Sequence, residues 1–156
     1  MKISNAHLQP LSTTIRFIAY GVHGFLDEIV FTALWQLVFE SFDPRLIGYT
    51  SLYSFIIYGT GSFIIERIYL RLQEKDVACI VRVFIYTLIA YAVELSSGLV
   101  LRQFDACPWD YSDRSMNFMG LITLTYAPGW ALLGYWQEVF SGFLLSLRQP
   151  VKMKQK

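Results

Sequence analysis

Long apolar runs separated by short charged segments set the plan of this chain. Residues 46–65 and 115–137 carry no charged side chain over 20 and 23 positions. Residues 17–39 are apolar except for His23, Asp27 and Glu28, and residues 83–101 except for Glu94. Arg16 and Glu40 frame the first of these, Arg82 and Arg102 the second. A bilayer core about 30 Å thick takes roughly 20 helical residues. The pattern therefore predicts four helical spans, over about residues 16–39, 46–66, 82–101 and 116–138. Residues 139–147 are too few for a further crossing and are expected to lie along the interface. The alternation over about ten residues that marks barrel strands is absent. Residues 1–14 read as a polar leader, not a cleavable signal, because the apolar stretch starts late and carries acids.

Composition sharpens this picture. Of 156 residues, 54% are hydrophobic and 16% charged, and aromatics reach 17%. A soluble domain is about 25% charged. Too few charges remain to coat a water-exposed globule, and a net charge of +1 excludes a basic nucleic-acid binder. The expected fold class is all-α: a four-span membrane helix bundle forming one domain over residues 1–156.

Basic residues orient it. Lys2, Arg16, Arg67, Arg71, Lys75, Arg82, Arg148, Lys152, Lys154 and Lys156 fall on the side of the termini, against Arg45, Arg102 and Arg114 opposite. Cytoplasmic loops collect Lys and Arg, so both termini are expected in the cytoplasm. Cys79 and Cys107 then lie on opposite sides and cannot pair with each other.

The charges inside the spans are the candidate chemistry. Glu28 lies 12 residues after Arg16, and Glu94 lies 12 after Arg82. At 1.5 Å per residue both sit about 18 Å from the same edge, near the middle of the membrane. Ionisable groups there are costly and point to function or to interhelical hydrogen bonding. His23 stands one turn before Asp27 and is placed to pair with it. Tyr58 on the second span, Tyr91 on the third and Tyr126 on the fourth lie on small or polar stripes. These stripes suit either helix packing or the wall of a polar interior. The interval of 66 residues from Arg16 to Arg82 and from Glu28 to Glu94 also suggests two helical hairpins in parallel repeat.

The third connection contains Cys107, Pro108, Trp109, Asp110, Tyr111 and Ser112, followed by Asn117. Asp105, Asp110, Asp113 and Asn117 offer oxygen ligands, but their spacing is not that of a calcium loop, and Arg102 and Arg114 neutralise acids. A folded interfacial loop without metal is expected, with Trp109 and Tyr111 suited to the membrane surface.

With this run, the chain resembles the transmembrane protein two-two-nine family of vertebrates, especially its shorter B-type members. The likeness rests on residues 101–104, 106–112 and 118–124, and upstream on residues 57–60, 66–67 and 69–72. His23, Gly24, Glu28, Glu94 and Gly98 share it. A thinner likeness, through Tyr58, Gly59, Gly61, Glu94, residues 109–112, Asn117 and Gly120, extends to a bacterial family labelled putative ABC-transporter type IV. The resemblance implies a four-span membrane protein without an established activity. No Gly-x-x-x-x-Gly-Lys-Ser/Thr is present, so any ATPase would be another protein and no ATP is bound directly.

Three functions compete on these residues. The first is a non-enzymatic transport-like or membrane-complex subunit with Glu28 and Glu94 in a polar interior. The others are an endomembrane scaffold or trafficking adaptor, and a lipid-acting enzyme using paired carboxylates. Metal-binding and hydrolase signatures are missing, so no cofactor is expected. Partners are the bilayer and, given the small size, further copies or other membrane subunits. Lys152 and Lys154 near the C-terminus resemble a dilysine retrieval signal, which places the chain in the endoplasmic reticulum or another endomembrane.

Overall fold

A computed structural model describes residues 8–40 and 42–150. Lys2 of the leader and the lysines of the tail fall outside the described residues. Four helices carry the structure: α1 (Thr13–Phe39), α2 (Leu52–Glu74), α3 (Cys79–Arg102) and α4 (Ala127–Ser146). Two short strand pairs accompany them. β1 (Leu8–Pro10) pairs antiparallel with β4 (Arg148–Pro150), and β2 (Asn117–Phe118) with β3 (Ile122–Thr123). The β1–β4 pair holds the two described ends of the chain together at one end of the bundle.

Side chains are distributed opposite to those of a soluble bundle. Ile18, Val22, Leu26, Val30, Leu34 and Val38 recur every fourth residue on α1 and are all exposed. Arg16, Ser54, Glu66, Glu94, Gln137 and Ser141 are buried. An apolar exterior around a polar interior suits a hydrocarbon solvent, where polar groups are stable only against one another. Helices α1 and α3 are long and apolar enough to cross a membrane.

The other two helices start later than the hydropathy pattern predicts. α2 begins at Leu52 instead of residue 46, and α4 at Ala127 instead of residue 116. Residues 46–51 contain no helix and run back along α1, where Tyr49 N–H donates to Thr32 Oγ1 at 2.8 Å. Ser51 then caps α2 by accepting from Tyr53 N–H. Residues 103–126 form an irregular loop containing β2, β3 and a 3-10 turn at Leu124–Tyr126, and Pro128 opens α4. Absence of charge does not distinguish a helix from a loop that buries its own backbone. At its far end the second predicted span also falls short: α2 continues through Arg67 and Arg71 to Glu74, while residues 139–146 continue α4 past Glu138.

Both late starts fall at one level. α1 and α2 are tied near one end by Arg16 and Glu66, and Thr50, just before α2, donates to Glu28. α3 and α4 are tied at the corresponding level by Arg82 and Glu138. Counting at 1.5 Å per residue, α2 starts beside Glu28 and α4 beside Glu94. Two helices therefore run the length of the bundle, and two begin partway along it.

Candidate functional site

A cavity of about 390 Å³ occupies the bundle where α2 and α4 begin. Most of the residues that the sequence singles out line it: His23, Asp27 and Glu28 from α1, Tyr58 from α2, Glu94 from α3, and Pro108, Trp109, Tyr111 and Tyr126 from the long loop. Exposed Glu40 and Tyr49 line its rim, so the space reaches the surface there. Close helix contact below the rim depends on Gly24, since a Cβ there would overlap Tyr58.

The two carboxylates are held differently. Glu28 Oε2 accepts from Thr50 Oγ1 at 2.5 Å. Glu94 is 8% exposed, and its Oε1 accepts from Tyr111 Oη at 3.0 Å. Its Oε2 is buried without a hydrogen-bond partner among the described residues, as is Trp35 Nε1. An unpartnered buried polar atom costs about 1–3 kcal/mol, so Glu94 Oε2 marks a position where a ligand, proton or water would be stabilising.

His23 behaves as the sequence suggests. Its Nδ1 lies 2.9 Å from Asp27 Oδ2, and its Nε2 accepts from Trp136 Nε1 at 2.7 Å. Both ring nitrogens are engaged, and the imidazole stacks on Phe140 with centroids 4.0 Å apart.

Tyr91 departs from expectation: it does not line the cavity. It is buried and donates to the Thr123 carbonyl at 3.0 Å, pinning the long loop to α3. The rest of that loop is internally bonded. Trp109 Nε1 donates to the Leu121 carbonyl, and Tyr111 N–H to the Gly120 carbonyl. Gly120 adopts φ +65°, where a side chain would be strained and would also meet Ser112 and Asp110. Asn117 accepts from Gly120 N–H, and Asp110 accepts from the Ser112 amide and hydroxyl. These Ser112 donors hold the Asp110 carboxyl below its usual range. Of the loop acids, Asp110 is engaged within a turn, and no cluster of three His, Cys, Asp or Glu side chains that could hold a metal occurs among the described residues. Cys79 and Cys107 are both free, and Cys107 Sγ donates to the Trp109 carbonyl.

Sequence reasoning missed a second polar layer. Glu66, 0% exposed, accepts from Arg16 Nε at 2.8 Å, Arg16 NH2 at 3.1 Å and Tyr20 Oη at 2.8 Å. Glu138 accepts from Arg82 Nε at 2.8 Å, Arg82 NH2 at 2.5 Å and Tyr86 Oη at 3.0 Å. In each case the remaining guanidinium nitrogen donates to a carbonyl five residues earlier, Leu11 or Val77. Tyr20 and Tyr86 share the 66-residue interval of Arg16 and Arg82, which is the signal that could have found them. Glu66 and Glu138 are 72 residues apart and read as mere ends of spans.

The family model described as putative ABC-transporter type IV matches residues 15–151, which covers all but the first two residues of the four helices and every residue that lines the cavity. No solved structure matches the chain.

Proposed function

The chain belongs to the putative ABC-transporter type IV family, and on that premise we propose that it is a non-enzymatic, transport-like membrane subunit whose interior cavity receives a ligand beside Glu28 and Glu94. The observation that carries this is the buried, unpartnered Oε2 of Glu94 at the wall of a cavity that reaches the surface. Late helix starts support it. Non-helical backbone at membrane depth is stable where protein or a wet cavity surrounds it, and helices broken at mid-depth are how many carriers build their sites.

The same reading has the chain cross the membrane four times as two parallel-repeat hairpins, with α2 and α4 completed by residues 46–51 and 116–126. The matching Arg–Tyr–Glu clusters support the repeat. The β1–β4 pair supports placing both ends on one side, and the Lys/Arg asymmetry makes that side the cytoplasm. Within the family, residues 106–112 point to the B-type transmembrane protein two-two-nine branch. An endomembrane location and association with further copies or other subunits complete the proposal.

Native mass spectrometry and ion analysis of the purified protein test it. Wild type should retain a bound species that the Glu28→Gln, Glu94→Gln double variant loses. Identical spectra for the two proteins would overturn the reading.

A further inference from the structure

Among the described residues the cavity wall carries acidic side chains and no free base, and its chemistry names the class of ligand. Two bases border the space, and both are engaged. His23 bonds Asp27 and Trp136, and Arg114 pairs with Glu40 at the rim. Glu28 and Glu94 are left facing the same space, with one hydroxyl donor each and Glu94 Oε2 with no partner among the described residues. Helices α2 and α4 begin beside them, at one level of the bundle. Aromatic rings make up much of the remaining wall. Tyr58 and Trp130 both line the cavity, with centroids 6.4 Å apart at an interplanar angle of 33°. A cation is attracted to such faces within about 6 Å of the ring.

We propose that the cavity binds a small organic cation, a protonated amine or quaternary ammonium group, between the Glu94 and Glu28 carboxylates and the faces of Trp130 and Tyr58. A cavity of about 390 Å³ holds a compact organic molecule. Bare or hydrated metal ions fit the site less well. The described residues hold no group of three His, Cys, Asp or Glu side chains that could ligate one. This inference deepens the transport-like reading and rests on it, because both require the cavity to be reachable.

The test uses the full chain with Cys79→Ser and Cys107→Ser, plus Ala90→Cys on the cavity wall, in detergent micelles. Neutral methyl methanethiosulfonate reports access alone. Labelling of Ala90→Cys is expected, and its absence overturns the cavity reading together with this one. The aminoethyl and sulfonatoethyl reagents differ in the sign of their charge. The cation should react at least about ten-fold faster than the anion, as expected where like charges focus a field in a cleft. Glu94→Gln should remove most of that preference, and phenyltrimethylammonium should protect the thiol. If Glu94→Gln does not fold, Trp130→Leu takes its place: the charge preference should persist while protection by phenyltrimethylammonium is lost. Access with equal rates for the two charged reagents overturns the organic-cation inference and leaves the cavity reading standing. So does access without protection.

Discussion

Glu66→Gln is expected to be among the most damaging conservative changes in this protein. Glu66 is 0% exposed and accepts all three of its hydrogen bonds from Arg16 and Tyr20. Arg16 is 9% exposed, so its charge has no route to water once the carboxylate is gone. The amide keeps the shape and one acceptor, but it removes the counter-charge and turns an NH2 group toward donors. Removing one partner of a buried pair costs about 3–5 kcal/mol. That corresponds to a loss of roughly two to four orders of magnitude in the folding equilibrium. Replacing both charges by apolar side chains should cost much less, because the expense lies in the stranded charge and not in the lost attraction. Arg16→Met with Glu66→Leu should therefore be more stable than Arg16→Met or Glu66→Gln alone. Reversible unfolding by dodecyl sulfate in mixed micelles, followed by tryptophan fluorescence, gives the three values. Asp43→Asn serves as a control: its partner Arg45 is solvent-exposed, with 74% of its side chain accessible, and no change is expected. A Glu66→Gln loss below about 1 kcal/mol, or a double variant no better than the worse single one, would refute the argument.

Other substitutions probe separate links. Gly24→Ala places a methyl group against Tyr58 and should cost about 1–3 kcal/mol in the same unfolding assay, with Gly142→Ala, where only the Tyr69 hydroxyl is near, as the tolerated comparison. Tyr111→Phe removes the donor to Glu94 Oε1 and should cost about 1–3 kcal/mol, an effect that shrinks in a Glu94→Leu background if the hydrogen bond is responsible. Ser112→Ala should let the Asp110 carboxyl rise toward the ordinary value of about 3.9, read by carbon-13 titration of the aspartates. Because the folded value is depressed, the Asp110 contribution to loop stability is present above that ordinary value and is lost as pH falls through the folded one. Protection of the residue-112 amide, relative to its intrinsic exchange rate, should therefore fall in acid in the wild type and fall by less in Ser112→Ala, which keeps only the backbone donor to Asp110. A glycosylation acceptor inserted near Phe104 should be modified and one inserted near Lys75 should not; the reverse result would invert the proposed orientation.

Much of the fold is legible in the chain because hydropathy is a local property. The apolar residues of α1 and α3 run as long as a bilayer demands, and the structure finds helices over both. His23 and Asp27 meet because a spacing of four is one helical turn. The folded loop around Trp109 was legible too, since its Asp, Asn and Gly residues are turn formers that satisfy neighbouring amides. The starts of α2 and α4 were not. Residues 46–51 and 115–126 carry no charge, and a window of apolar residues reads alike whether its amides bond to their own helix or to a neighbouring segment.

What the sequence alone determined is therefore the hydropathy and the period: long apolar runs of helical length, and two acids placed 12 residues beyond two arginines. What only the tertiary structure decided is which polar groups satisfy one another. Glu66 and Glu138 read as ends of spans, yet they close the two Arg–Tyr clusters. Glu94 and Tyr111 are separated by a helix end and a loop, yet they share one hydrogen bond, and the other Glu94 oxygen is left without a partner among the described residues. The reason is physical. Burying apolar surface is non-directional and adds up along a chain, so composition and periodicity record it. A buried hydrogen bond depends on two groups brought within about 3 Å, and that distance exists only after the helices have packed.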